Sequence, residues 1–151
     1  MTTVCLVGDP ETDLRFELLS RETAREALAT YDLRAPFDNS LALDTVSLGA
    51  AVSLCNDLNW YLVRFVDEVL IREPSVDPDE WLSRDLATAV RNDAVRREET
   101  DRFLKVYGLE AGRLVAPMYL ARSDDAALPE YDLRDVEETV HVRVTREEFE
   151  G

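Results

Sequence analysis

The chain has 151 residues, 46% of them hydrophobic and 32% charged, with only 5 Gly and 6 Pro. This composition is typical of a folded globular protein and excludes a disordered or fibrous one. The length suits a single domain over residues 1–151 that buries about two thirds of its unfolded surface. Acidic residues outnumber basic ones by 32 to 17, which gives a net charge of −15.

The acidic residues are spread along the whole chain, and Lys105 is the only lysine. An even acidic shell is typical of a protein that stays soluble in concentrated salt, where a Debye length of about 3 Å at 1 M screens self-repulsion. We therefore predict a halophilic source; a surface built for basic partners is the alternative, and the even spread counts against it. The chain begins without the basic start and apolar core of a signal peptide, and charges interrupt every apolar run, so we expect a cytoplasmic protein without a membrane span.

The first third of the chain combines short apolar runs with turn residues. Residues 3–7 predict a strand that ends in a Gly-Asp-Pro turn, and the alternating residues 14–18 predict a second strand, so that the two form a hairpin. Residues 24–31 have helical spacing behind a candidate cap at Ser20, and they predict a short helix. The segment 35–44 is predicted to be a loop.

The segment 45–72 is the most apolar part of the chain and contains no proline. At about 100° per residue, its apolar side chains cover about 200° of a helical wheel, which is wider than the stripe of a surface helix. We therefore predict one long central helix that is covered from two directions and forms the core. On this wheel Asn59 falls in the apolar arc and Trp60 falls in the polar arc.

The second half of the chain predicts a helix followed by three strands. Asp77-Pro78 is a strong start for a third helix. Residues 102–122 then predict a second hairpin that turns at Gly112, and residues 136–145 predict a final strand. The order β-β-α-α-α-β-β-β predicts an α+β domain, with a mainly antiparallel sheet from two hairpins and a C-terminal strand packed around the central helix.

Three segments carry a resemblance to a known group of proteins. LSRETAREALATYDLR, CNDLNWYLVRFVD and DEWLSRDLATA resemble a small haloarchaeal family of unknown function, and the resemblance extends over nearly the full length. It implies a halophilic archaeal cytosol and brings no known activity, ligand or site. The tetrapeptide Tyr-Asp-Leu-Arg also occurs twice, at 31–34 and 131–134. We interpret the repeat as chance; a paired role of the two tyrosines at equivalent corners is the alternative.

Residues suited to catalysis or metal binding are sparse. His141 is the only histidine, and its place in the alternating final strand predicts a solvent-facing side chain. Cys5 and Cys55 lack the spacing of a metal site and suit the interior. Because a nucleophile needs a base within reach and zinc needs several His or Cys ligands, we predict no catalytic residue, no cofactor and no metal site.

Two residues of the central helix break its pattern. A buried Asn59 amide must find hydrogen-bond partners or cost about 1–3 kcal/mol. It either bonds to backbone in the core or lines a small pocket with Asn56 and Trp60. Trp60 is either exposed beside Arg64, as a contact residue would be, or covered by the loop 35–44.

These observations support three functional hypotheses. The preferred one is a non-enzymatic module that binds an unknown protein partner or a second copy of itself through Trp60, Tyr61, Arg64 and Trp81. The second is a winged-helix-like nucleic-acid-binding regulator, in which a helix precedes a hairpin and the phosphate contacts are Arg91, Arg96, Arg97 and Arg102. The net charge counts against this second hypothesis. The third is an enzyme or small-ligand binder around Asn56 and Asn59, for which no convincing set of residues is present.

Overall fold

The computed structural model describes residues 1–122 and 138–151. Within these ranges the elements are, in chain order, β1 (Thr2–Gly8), α1 (Leu14–Leu19), α2 (Glu22–Leu28), β2 (Ser40–Thr45), α3 (Leu48–Asp57), α4 (Asn59–Phe65), β3 (Val66–Arg72), β4 (Trp81–Ser83), α5 (Arg84–Arg91), a 3-10 turn (Arg97–Glu99), β5 (Phe103–Glu110), β6 (Arg113–Ala121), β7 (Glu138–Arg143) and α6 (Arg146–Glu150).

The seven strands form one sheet in the order β2-β1-β3-β4-β7-β5-β6. Neighbouring strands are antiparallel except for β4 and β7, which run parallel. The α+β class is therefore confirmed, and the sheet is mixed, with antiparallel pairs in the majority. Among the described residues, no helix combines the length and the apolar composition that a membrane crossing requires.

The sheet buries side chains on both faces. Alternate residues of β1 point in opposite directions, so that Val4 and Leu6 join a large cluster with the helices while Cys5 joins a smaller cluster on the other face. Strands buried on two faces are apolar at nearly every position. Cys5 and Cys55 are both buried, as predicted.

The predicted strand over residues 3–7 is confirmed as β1, but the predicted hairpin with residues 14–18 is wrong. Those residues form α1, whose Leu14 and Leu18 are buried one turn apart while Phe16 between them is 64% exposed. Asp13 caps this helix by accepting a hydrogen bond from the Phe16 N–H at 3.2 Å. Over five residues, apolar side chains at i and i+4 fit a helix as well as a strand.

The partner of β1 comes from the segment predicted to be a loop. Residues 40–45 form β2, in which five of six residues are buried, and β2 pairs with β1 from Thr2↔Thr45 to Val7↔Ser40. The helix predicted over residues 24–31 is confirmed as α2. The second Tyr-Asp-Leu-Arg copy, at 131–134, lies outside the described residues.

The predicted long helix over residues 45–72 is confirmed only in part, because helices cover residues 48–57 and 59–65. The segment forms α3, α4 and β3 in succession, and the two helices are separated at Leu58, whose φ of −93° and ψ of 5° leave the helical region. β3 then pairs with β1 as an inner strand of the sheet. Residues 69–71 of β3 are buried on both faces of the sheet and are as apolar as a buried helix, so the wheel placed them in the same wide arc as α3 and α4.

The predicted third helix begins later than its sequence signal. The Asp77 carboxylate accepts hydrogen bonds from the N–H groups of Asp79 and Glu80 at 2.8 and 2.7 Å, so it stabilises a turn ahead of β4. Ser83 is the actual cap of α5, and its hydroxyl accepts from the Leu86 N–H at 3.1 Å.

The C-terminal strands agree with the prediction. β5 and β6 form the second hairpin, with Gly112 at a φ of 80° in the turn, and β7 is the final strand. β5 also pairs with β7 over six residue pairs, so the hairpin belongs to the sheet and is not a free wing.

Candidate interaction surface

The helix α4 presents two apolar side chains to solvent. Its inward face is formed by Tyr61 and Leu62, which are buried at 9% and 3% exposure. Trp60 precedes these two buried residues in sequence and Val63 follows them, and their side chains are 48% and 66% exposed. Residues three apart are neighbours on a helix surface, so Trp60 and Val63 share the outer face of α4.

Two guanidinium groups lie against the exposed indole. The Arg64 guanidinium carbon is 3.9 Å from the centre of the Trp60 ring, and Arg64 Nη1 donates to the Trp60 carbonyl oxygen at 2.8 Å. The Arg21 guanidinium lies 5.6 Å from the Trp60 ring and 5.1 Å from the Phe65 ring. We call Arg21, Trp60, Val63 and Arg64 together the Trp60 surface.

The Trp60 surface is positively charged in an acidic protein. Arg21 forms an ion pair with Glu17 at 3.0 Å. Arg64 forms no ion pair with any residue that the structure describes. Each exposed cation–π contact contributes about 0.5–1 kcal/mol and holds the guanidinium in place. The surface therefore combines exposed apolar area with fixed positive charge.

A separate open groove lies on the neighbouring helix. α1 packs against α4. On α1, the exposed Phe16 lines an open groove of about 400 Å³. The other residues that line it are Asp13, Arg15, Leu19 and Ser20.

The structure separates the four residues predicted for contact. Trp60 and Arg64 lie side by side on the surface, and the exposure of Trp60 decides against its burial beneath residues 35–44. Tyr61 is in the core beneath them. Trp81 is 7% exposed in the smaller core cluster, with the Arg72 guanidinium 4.6 Å from its ring. The proposed contact surface therefore retains Trp60 and Arg64 and leaves out the two buried aromatic residues.

The predicted burial of Asn59 is wrong. The break at Leu58 begins a new helix at Asn59, and the Asn59 side chain is exposed. Asn56 is also exposed and accepts a hydrogen bond from Arg84 Nη2 at 3.3 Å. The wheel placed Asn59 in the core only because it continued one helix through the break.

The most connected polar group in the described chain is the carboxylate of Glu80. Arg122 binds it with both Nη atoms at 3.2 and 2.6 Å, and Arg143 Nε donates to it at 2.7 Å. His141 Nδ1 lies 3.2 Å from the same carboxylate. His141 was predicted to face solvent; instead, its side chain is 22% exposed and belongs to this network.

The Glu80 network joins four parts of the chain. Burial alone would raise the pKa of Glu80, but hydrogen bonds from His141, Arg122 and Arg143 outweigh burial and hold that pKa well below its usual range. Arg143 also donates to the Thr100 hydroxyl at 3.0 Å. The network lines a cavity of about 400 Å³, and its cations are already engaged by Glu80, which indicates a structural role.

A second network lies between β3 and β5. Glu68 accepts hydrogen bonds from the Tyr107 hydroxyl at 2.6 Å and from Lys105 Nζ at 3.0 Å. Burial and the charge of Glu68 raise the pKa of Tyr107 well above its usual range. Burial opposes the charge of Lys105, but hydrogen bonds to Tyr107 and Glu68 prevail and raise its pKa. Tyr107 is therefore a protonated donor and not a base.

Sequence reasoning missed both networks because their members come from distant segments. One signal was available in the composition, since Lys105 is the only lysine beside sixteen arginines, and it forms a partly buried ion pair with Glu68. A second signal was the shared strand face of His141 and Arg143, which pointed to a common partner. The acid that joins them, Glu80, precedes them by about sixty residues and carries no local signature.

The candidate nucleic-acid contacts occupy the α5 end and the connection to β5. Arg91, Arg96, Arg97 and Arg102 are all exposed. Arg96 forms an ion pair with Glu99 at 2.7 Å, and Arg97 donates to the Ser75 hydroxyl at 3.0 Å. Within the described ranges, no group of three or more His, Cys, Asp or Glu residues is arranged to hold a metal ion.

Most of the chain matches a known protein family. A family model described as a family of unknown function (DUF5804) matches residues 2–109. No curated protein and no solved structure matches the chain. The matched range includes the whole Trp60 surface and ends within β5.

Proposed function

The chain belongs to this family of unknown function, and we propose that it is a non-enzymatic protein-interaction module whose contact site is the Trp60 surface. The observation that carries the proposal is a tryptophan that is 48% exposed on the outer face of α4, with the Arg64 and Arg21 guanidinium groups 3.9 and 5.6 Å from its ring centre. Tryptophan and arginine are the residues most enriched at the energetic centres of protein interfaces.

Burial of this surface by a partner would contribute substantially to the free energy of binding. A tryptophan side chain presents about 200 Å², so roughly 100 Å² of Trp60 remains to be buried, which is worth about 2.5 kcal/mol at 25 cal/mol per Å². Val63, at 66% exposure on the same face, adds to this. The ring and guanidiniums are already positioned by mutual contacts, so a partner loses little side-chain entropy in ordering them.

We place the protein in the concentrated salt of a halophilic cytoplasm. The support is an acidic surface of 32 Asp and Glu against 17 basic residues, spread along the chain. In such salt, long-range attraction between charges is screened, and contact between apolar side chains gains weight as a source of affinity. An exposed Trp60 suits recognition under these conditions.

The test is quantitative capture of partners with matched exposed-aromatic variants. The full chain, Trp60→Ala and Tyr119→Ala are used as baits under one set of salt conditions. Tyr119 is the control because its exposed fraction, 45%, is similar to the 48% of Trp60, while it lies on β6 and not on α4. We expect a partner that is enriched on wild type and on Tyr119→Ala and is depleted at least tenfold on Trp60→Ala, the equivalent of about 1.4 kcal/mol.

Equal recovery on all three baits would contradict the proposal. Light scattering in concentrated KCl distinguishes the self-binding form of the module, since a wild-type dimer would then become a monomer in Trp60→Ala. Circular dichroism of each bait serves as a control for folding.

A further inference from the structure

We propose that the partner of the Trp60 surface presents an acidic segment with one apolar anchor residue, an inference that rests on the proposed function. The segment places a carboxylate on Arg64, since Arg21 is already paired with Glu17 at 3.0 Å, and places its apolar residue against Trp60 and Val63. The recognised chemistry is therefore a run of Asp or Glu interrupted by a single large apolar side chain.

The first argument is the state of the Arg64 guanidinium. Its carbon is 3.9 Å from the Trp60 ring centre, and one nitrogen donates to the Trp60 carbonyl oxygen, so its position is set before any partner arrives. A guanidinium carries five N–H donors. Arg64 has no carboxylate partner among the described residues. A carboxylate can bind such a group through two parallel hydrogen bonds.

The second argument concerns the apolar anchor. Trp60 and Val63 are neighbours on α4, and they leave an exposed apolar area directly beside the charge. A purely acidic segment would leave this area in water and forgo its burial. A segment with one apolar residue covers the ring and brings a flanking carboxylate within reach of Arg64.

The third argument excludes two other partners by charge. A symmetric contact between two copies places the same patch on both sides, so that Arg21 and Arg64 would face their own counterparts. A basic partner would be attracted to the acidic shell everywhere except here, since like charges across an interface are costly.

The experiment measures fluorescence anisotropy of labelled peptides on the full chain. One peptide has a phenylalanine flanked by glutamates, and a matched peptide has glutamine in place of every glutamate. At about 1 M KCl the Debye length is about 3 Å, so the net charge is screened while contact pairs persist. We expect the glutamate peptide to bind about tenfold more tightly than its match, and Arg64→Gln to remove that preference. The control is Arg96→Gln, because Arg96 is an exposed arginine outside the surface.

Failure of this inference is distinguishable from failure of the proposed function. No binding of the glutamate peptide, equal binding of both peptides, or an unchanged preference in Arg64→Gln would overturn the acidic partner. If Trp60→Ala still abolishes partner capture in those cases, the contact surface stands. If Trp60→Ala changes neither capture nor peptide binding, both are overturned.

Discussion

At the scale of the residue, Glu80 illustrates how one side chain can hold several segments together. Its carboxylate is bound by Arg122 at the end of β6 and by His141 and Arg143 on β7. Its side chain is only 14% exposed. A carboxylate in this position is stabilised only while its partners remain, because an unpaired buried charge is far costlier than the pair.

We expect Glu80→Gln to lower the free energy of unfolding by about 3 kcal/mol at neutral pH, since it leaves two guanidiniums facing a neutral amide. The measurement is urea denaturation. Glu99→Gln is the matched control, since Glu99 pairs with Arg96 at 51% exposure and such surface pairs contribute at most about 1 kcal/mol. Equal losses in the two variants would contradict a special role for Glu80.

The same residue predicts a pH dependence. Because the folded pKa of Glu80 lies below the unfolded value of about 4.3, its contribution is fully present above the unfolded value and is lost progressively as the pH falls from there towards the folded pKa. Wild type should therefore lose more stability than Glu80→Gln between about pH 5 and pH 3. Parallel stability curves for the two proteins would show that the carboxylate is not held as described.

At the scale of the element, the fold was predictable where local pattern and final environment agree. β1, α2 and the β5–β6 hairpin were recognised from strand alternation, helical spacing and the turn glycine at 112. β3 was not, because a strand buried on both faces has no alternation to distinguish it from a buried helix. The short α1 failed for a related reason, since five residues are too few to separate the two periods.

The site predictions depended on the same error. When one helix is continued through Leu58, Asn59 is predicted to lie in the core, and its buried amide then suggests a small pocket. The proximity of Trp60 and Arg64 could be predicted because they are four residues apart in one helix. Arg21 could not be found from sequence, because it reaches Trp60 only through the packing of the first helices against α4.

Two glycines provide a test of how closely these elements approach. A Cβ at Gly8 would lie 2.6 Å from Asn39 Nδ2 and 2.8 Å from Leu14 Cβ, whereas a Cβ at Gly49 would lie 3.7 Å from its nearest neighbour. We expect Gly8→Ala to destabilise by about 1–3 kcal/mol. Gly49→Ala, within α3, should be neutral or stabilising by up to about 1 kcal/mol.

The measurement for this pair is thermal and urea unfolding under identical conditions. Asn39 matters because its amide donates to the carbonyl oxygens of Asp9 and Thr12 at 2.9 and 2.7 Å and so holds the turn after β1. A Gly8→Ala protein as stable as Gly49→Ala would contradict this close packing.

At the scale of the whole molecule, the charge is the dominant property. A net charge of −15 on 151 residues opposes the compact state by self-repulsion when salt is low. We expect the unfolding midpoint to rise as KCl increases from about 0.1 M, where the Debye length is about 10 Å, to above 1 M, where it is below about 3 Å.

Sucrose serves as the control, because an excluded osmolyte stabilises without screening charge. The KCl response is also measured on a variant in which several exposed acidic residues are replaced by neutral ones. The proposed adaptation to salt would be wrong if KCl raised the unfolding midpoint of wild type no more than sucrose does, and no more than it raises the midpoint of the variant. We expect the unfolding midpoint to rise more steeply with KCl in wild type than in the variant.

The central claim is that a protein partner covers the outer face of α4. The most direct measurement is photo-crosslinking from a benzoylphenylalanine placed at Val63, compared with the same group at Val46. Both side chains are highly exposed, at 66% and 81%, but only Val63 adjoins Trp60. We predict a discrete crosslinked protein from position 63 that disappears when Trp60→Ala is added, and none from position 46. The same products from both positions, or products that persist without Trp60, would contradict the account.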